Sequence, residues 1–298
     1  MTDPAADATR CEPLAPAEIK TAFLSACRAE LAALKPGNVH VHAAGHGMDV
    51  AHFEAAAQAA APVIARPGLS FGQRVEMAVG ESLAAAGCNT NLGIILLCAP
   101  LATAALLPAP APLHKRVGAV LSHLSQEDGD RVYAAIRAAN PGGLGTTDAA
   151  DVARSPDIAL LDAMALAAPR DRIAANYVSG LRDIFEDHLP LLTRIRSSGG
   201  DTSPPAPADA TATLYMSLLS RFPDSHIRRK FGMETAAHVQ RLAGAARPSW
   251  HPVVSPASYP ALLALDALLK SNGWNPGTTA DFVVATLFAE SLSRQTPY

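Results

Sequence analysis

Polar chemistry in this chain is concentrated in five short islands, set in a sequence of which 49% is hydrophobic. The first runs Lys35-Pro36-Gly37-Asn38-Val39-His40 and continues through His42 and His46 to Asp49. The second is Gly87-Cys88-Asn89-Thr90-Asn91-Leu92-Gly93, and the third Asn140-Pro141-Gly142-Gly143-Leu144-Gly145. The fourth spans Asp224 to Gly232 and carries Arg228, Arg229 and Lys230; the fifth, Asn275 to Asp281, reads NPGTTAD. These residue types suit the handling of an anionic, oxygen-rich ligand. Lysine and arginine neutralise phosphate, and an asparagine side chain offers both a donor and an acceptor. An imidazole titrates near neutral pH and can move a proton. A carboxylate in the first turn of a helix can hold a hard cation that arrives with its nucleotide.

Each island also has a plainer reading. Lys35 could interact with a helix C-terminus, Asn38 could satisfy a turn, and the histidines could lie at the surface. Asn89 or Thr90 could cap the helix that starts near Asn91. The same geometry, with Gly93 permitting close approach, could instead receive a phosphate or a ribose hydroxyl. The Arg228–Lys230 run could be a solvated charged face. A zinc site is disfavoured, because the histidine spacings do not match HExxH and no cysteine joins them.

The elements that must position these islands are helices. Ala- and Leu-rich stretches with helical spacing recur from end to end, and no sustained alternation of β-branched and polar residues is present. The spacing predicts an all-α fold, a single compact domain of about ten to twelve helices over residues 16–298, preceded by a flexible tail over 1–15. Helices are expected at roughly 16–34, 50–65, 70–86, 91–107, 114–124, 127–139, 156–168, 170–196, 208–221, 231–246, 257–271 and 278–294. Ser70 followed by Gln73 makes a capping box, and Pro67-Gly68 breaks the helix before it. Pro108–Pro112 and Ser197–Pro207 are expected to be loops, since Gly and Pro are too dense there for a helix.

Charge and composition narrow the partners. Lys plus Arg number 24 against 27 Asp plus Glu, so no broad positive field favours duplex nucleic acid or an anionic membrane. The most apolar run, Leu92 to Leu107, contains Pro100 and falls short of the ~20 residues a membrane span needs, so it reads as a buried core helix. Cys11, Cys27, Cys88 and Cys98 form no CxxC pair, and the acidic, proline-bearing start does not resemble a secretory leader. A reducing cytoplasm is the expected location. The sequence sets no oligomeric state.

In this order, KPGNVH, Gly47-Met48-Asp49, GCNTNLG, DSHIRRKFG and NPGTTADFVVATLF resemble the triphosphoribosyl-dephospho-CoA synthase family over about residues 30–292. The most specific elements are Lys35-Pro36-Gly37, Asn89-Thr90 followed by Gly93, and Pro276-Gly277 followed by Ala280-Asp281. The resemblance implies an all-helical transferase that moves the triphosphoribosyl group of ATP to the 2′-hydroxyl of 3′-dephospho-CoA and releases adenine. Two departures bear on the acceptor. The family's Asn-Thr-His-Lys-Gly stands here as Asn89-Thr90-Asn91-Leu92-Gly93, and the acid usual before Met-Asp is Gly47. The run Pro141 to Gly145, with Asp148 and Asp151 behind it, is similar to a divergent branch from methylotrophic bacteria and archaea, linked with tetrahydromethanopterin-type cofactor synthesis.

The resemblance implies ATP as substrate, Mg2+ as its companion ion, and dephospho-CoA or a related cofactor precursor as acceptor. Lys35, Arg229 and Thr278 are expected on the phosphates, with Asn38, Asn89, Thr90 and Asn91 positioning ribose and phosphate oxygens. Asp281 and Asp49 are the expected metal ligands, and His40, His46 or Asp49 the general base. Three other readings use the same residues: an Mg-dependent N-glycosidic hydrolase with water as acceptor, a glycosyl transferase of tetrahydromethanopterin-type cofactor synthesis, and a non-catalytic helical nucleotide-binding module.

Overall fold

The computed structural model describes residues 13–108, 111–140, 158–198 and 204–295. Thirteen α-helices account for most of them: α1 (Pro16–Ala32), α2 (Val50–Ile64), α3 (Phe71–Ala86), α4 (Leu92–Leu106), α5 (Leu113–Ser122), α6 (Gln126–Ala139), α7 (Leu160–Ala167), α8 (Arg172–Val178), α9 (Leu189–Ser197), α10 (Pro207–Arg221), α11 (Ser225–Ala245), α12 (Tyr259–Ser271) and α13 (Gly277–Gln295). No sheet forms among the described residues; two isolated bridges, His40 with Ala43 and Gly45 with Met48, shape the loop before α2. The Pro141–Gly145 run, Asp148, Asp151, Cys11 and parts of both expected loops lie outside the described residues.

The apolar run from Leu92 becomes α4, the axis of the core, in which only Gly93, Thr103 and Leu106 escape full burial. No helix among the described residues is long and apolar enough to cross a membrane. Pro100 cannot donate to the carbonyl of Leu96, four residues back. The buried Tyr177 hydroxyl on α8 donates to that carbonyl instead, at 2.7 Å, so the kink-prone helix is repaired by a neighbour. α13 packs on α4 and α1, with Phe23 and Phe288 edge to face at 5.8 Å. Arg74 closes the end of α2 from within the core, donating to the carbonyls of Val63 and Ile64 at 3.1 and 2.6 Å. The Ser70–Gln73 capping box forms as expected.

Two boundaries differ from expectation. The segment expected as one helix over 170–196 is broken: Gly180 and Leu181 take left-handed φ of 70° and 60° after α8. Asp183–His188 then forms a π-helical turn that runs into α9. Asn176 staples the break, donating to Asp183 Oδ2 at 2.6 Å and accepting from the Asp183 N–H at 3.2 Å. The second difference is α11, which starts at Ser225 rather than near 231, with Asp224 as its N-cap. Gly232, at φ 88° and ψ 168°, kinks it where the sequence suggested a beginning. The basic run is therefore the opening of a helix, and that places it at the site.

Candidate active site

A cavity of about 670 Å³ opens between α1, α4, α6, α7, α11 and α13. That is within the usual range for small-molecule sites. Its polar wall takes residues from all five islands, the third through Asn140.

The first island is anchored by Lys35, whose side chain is wholly buried. Its ammonium pairs with Glu30 of α1 and donates to Asn38 Oδ1 at 2.9 Å and to the Val39 carbonyl at 2.7 Å. All three of its donors are thereby used, and it does not line the cavity. This corrects its expected phosphate role. Lys35 neutralises Glu30, which does line the cavity, and braces Asn38. Burial pushes the Glu30 carboxyl up and the Lys35 ammonium down, and each partner opposes the other's shift.

The Pro36-Gly37 turn needs glycine twice over. Its φ is 85°, and a Cβ at Gly37 would fall 2.8 Å from Pro276 Cδ and 2.9 Å from the Trp274 carbonyl. The first and fifth islands are bolted together here. Asn38 Nδ2 donates to Asn275 Oδ1 at 2.8 Å, and the Gly37 N–H to Asp266 Oδ1 at 2.8 Å. The buried Tyr215 hydroxyl donates to the Pro36 carbonyl at 2.8 Å.

The three candidate bases separate. His46 lines the cavity. Its Nε2 lies 2.8 Å from the Gly37 carbonyl; a carbonyl only accepts, so in the neutral ring Nε2 carries the proton and Nδ1 keeps a lone pair. His40 does not line the cavity. It is buried behind the turn, with Nδ1 accepting from the His42 N–H at 3.2 Å and Nε2 3.4 Å from Asp266 Oδ1. Burial lowers its pKa, and its place is structural. Asp49 is likewise outside the lining. It caps α2, accepting from the His52 N–H at 3.2 Å and pairing with the His52 ring at 2.7 Å on the exposed surface. Neither the base nor the metal role expected of Asp49 fits that position.

The second island divides in the same way. Asn89 Oδ1 accepts from the Leu92 N–H at 3.2 Å, capping α4, and Asn89 lines the cavity. Beside it, the Thr90 hydroxyl is buried with no partner among the described residues. Asn91 turns away and donates to Ser82 Oγ at 3.0 Å, which in turn donates to the Ala56 carbonyl at 3.2 Å. It ties α4 to α3 and α2 and is not a ligand-facing residue.

From α13, Thr278 and Asp281 face the cavity. The Asp281 carboxylate rests against the Cα of Gly93, where any Cβ would collide with it. From α11, His226, Arg228, Arg229 and Lys230 also line the cavity. Arg229 lies 3.5 Å from Asp171, and Arg228 donates to the Pro169 carbonyl at 2.8 Å. Asn140 and Arg170 add polar groups, and the rest of the wall is largely apolar, with Tyr133 and Ile136 of α6, Met164 and Ala167 of α7, and Ile173 of α8.

A family model described as ATP:dephospho-CoA triphosphoribosyl transferase matches residues 16–297. The chain belongs to this family. A crystal structure from Archaeoglobus fulgidus, provisionally described as a triphosphoribosyl-dephospho-CoA synthase, superposes with a TM-score of 0.61 at 24% identity, covering 83% of this chain and 99% of that one. That likeness establishes the shared fold. A search of curated proteins finds no match.

In this member of the transferase family the cavity is electrically divided. Asp281 is held well above the usual carboxylate range by burial and by Asp224 and Glu30, against the pull of Arg229. Its carboxylate has no hydrogen-bond donor among the described residues. His226 is pushed down to about 3 by burial and by Arg229, Lys230 and His46, and its buried Nε2 has no partner among the described residues. Sequence reasoning passed over Glu30, Asn275 and His226. The signal for Glu30 was an acid on the apolar face of α1, five positions before Lys35. The other two lay in islands already singled out.

Proposed function

We propose that this cavity binds ATP and transfers its triphosphoribosyl group to the 2′-hydroxyl of 3′-dephospho-CoA, or of a related cofactor precursor, with release of adenine. The observation that carries the reading is the seating of Asp281 on Gly93: it joins two islands that are 188 positions apart in sequence on one cavity wall, in a chain of this family.

The polyphosphate is read against Arg229, with Arg228 and Lys230 beside it. It would also meet the open ends of α4 and α13, where the first-turn N–H groups of Gly93, Ile94 and Thr278 have no intrahelical acceptor. Asn38, Asn89, Thr90 and Asn275 would orient ribose and phosphate oxygens. Asp281 also fits a hard cation, because a buried carboxylate in the cavity wall, near Asp224 and Glu30 and with no hydrogen-bond donor among the described residues, is relieved by positive charge. Mg2+ commonly binds through one or two carboxylates plus substrate phosphates. When bound, Mg2+ would neutralise charge on the triphosphate. His46 Nδ1 is the lone pair available to take the acceptor's proton. As that O–H bond breaks, the oxygen forms a bond to the anomeric carbon; the carbon–nitrogen bond to adenine breaks, its electron pair leaves with the base, adenine takes a proton from water, and His46 returns the acceptor's proton to solvent. The Glu30 carboxylate, paired with Lys35, faces the cationic centre that develops. The buried free thiols Cys27 and Cys98 accord with a cytoplasmic setting.

The test is incubation with ATP, Mg2+ and dephospho-CoA, followed by mass spectrometry. Adenine together with a CoA derivative heavier by one triphosphoribosyl group supports transfer. Adenine with free ribose triphosphate would show a hydrolase, and intact ATP with every acceptor tried would leave only a binding module. Chelation of the divalent ion is expected to abolish turnover.

A further inference from the structure

Three helix starts meet on one dipeptide behind the cavity. Asp224 is 3% exposed, and neither it nor Ser225 lines the cavity. Asp224 Oδ1 accepts from the N–H groups of His226 and Ile227 at 2.8 and 3.1 Å, capping α11. Its Oδ2 accepts from the N–H and the hydroxyl of Thr279 at 2.7 and 2.8 Å, holding the first turn of α13. Ser225 Oγ accepts from the Arg172 N–H at 2.9 Å, at the start of α8.

A carboxylate offers about four acceptor positions, so Asp224 is saturated and has nothing left for a ligand. What it does is register α11 against α13. The two starts touch: a Cβ at Gly277 would fall 2.9 Å from His226 Nδ1. On the far side of this joint, α11 presents His226 and Arg229 to the cavity and α13 presents Thr278 and Asp281. The cation and the anion at the centre of the proposed site are thus held relative to each other by one buried side chain. By drawing the Thr279 N–H backward, Asp224 also leaves the Thr278 N–H as the donor at the cavity end of α13.

We propose that Asp224 is a positioning residue for the triphosphate: it fixes the crossing of α11 and α13 so that Arg229, Asp281 and the Thr278 N–H converge on the polyphosphate, without touching it. This rests on the triphosphate reading of the cavity. A simple helix cap would, when removed, cost stability and leave the affinity of the folded protein unchanged. A positioning residue alters affinity in protein that is still folded.

The experiment is calorimetric titration of the full chain with Mg2+ and inorganic tripolyphosphate, alongside melting curves, for wild type, Asp224→Asn, Thr279→Val and Ser225→Ala. Asp224→Asn keeps an oxygen for one helix start but turns an N–H toward the donors of the other. It is expected to weaken tripolyphosphate about tenfold or more while melting cooperatively. Thr279→Val, which removes one donor to Oδ2, should weaken it about two- to fivefold. Ser225→Ala, which loosens only α8, should bind as wild type does. Wild-type affinity in folded Asp224→Asn overturns the proposal and leaves the reading of the cavity standing. If Asp224→Asn does not fold, wild-type affinity in Thr279→Val overturns it equally. A wild-type protein that binds no tripolyphosphate removes both.

Discussion

The Asp281 carboxylate sits on the bare Cα of Gly93, so the acid at the fifth position of α13 occupies the space a side chain on the first turn of α4 would fill. Gly93→Ala should drive the two helices apart or displace the carboxylate. Overpacking of this kind costs about 1–3 kcal/mol in stability, and a shift near 1 Å at the reacting centre can lower kcat/KM ~100-fold. Unfolding curves and adenine-release kinetics on the variant would measure both. Wild-type kinetics in Gly93→Ala would mean that Asp281 has no part in the chemistry.

Removal of Lys35 should be felt in folding first. Lys35→Met leaves Glu30 as a buried carboxylate without its cation, which costs about 3–5 kcal/mol. Adding Glu30→Gln to the same chain should recover most of that loss. Urea denaturation of the single and double variants decides the matter, and a loss under about 1 kcal/mol for the single change would contradict the buried pairing.

Arg229 is the opposite case. It lies in the cavity wall beside Asp171 with its side chain 21% exposed, so truncation should spare the fold. Arg229→Ala is expected to weaken ATP about 10- to 100-fold, with Arg229→Lys restoring part of the affinity. Equal ATP affinities in wild type and Arg229→Ala would remove this residue from phosphate binding.

His188 should make the protein acid-sensitive. Burial pushes its pKa down to about 4, with Asp183 opposing and Arg172 and Arg221 adding to the shift. Thr286 Oγ1 lies 3.4 Å from its Nδ1 and the Phe282 ring packs edge-on at 5.4 Å. The folded chain keeps this imidazole neutral, while the unfolded chain protonates it below its ordinary value near 6.5. Between those limits the unfolded state binds more protons, so stability falls as pH drops from about 6.5 toward 4, by up to roughly 1.4 kcal/mol per pH unit. In His188→Phe that part of the slope should vanish. An unchanged profile of stability against pH in the variant would show that another group carries it.

Much of the architecture was legible because helical chains announce themselves locally. The Ser70–Gln73 box, the burial of the run from Leu92 and the turn before α13 all followed from spacing and capping chemistry. The break at Gly180 and Leu181 did not, since a left-handed leucine is tolerated only because Asn176 and Asp183 staple it. Nor did the start of α11, because Asp224 acts as a cap in concert with Thr279, 55 residues away.

At the site, residue types and tertiary placement contributed differently. The sequence alone determined which segments were too polar to be buried without partners, and the order in which they occur carries the family pattern. It could not say which face of each turn meets the ligand. Lys35 and His40 carry the right chemistry but point into the protein, where Glu30 and Asp266 meet them. Asn91 is spent on Ser82, and Asp49 on His52. Glu30 and His226 reach the cavity instead. Side-chain direction at a turn is set by whichever partner the assembled helices bring alongside, and only the tertiary structure holds that information.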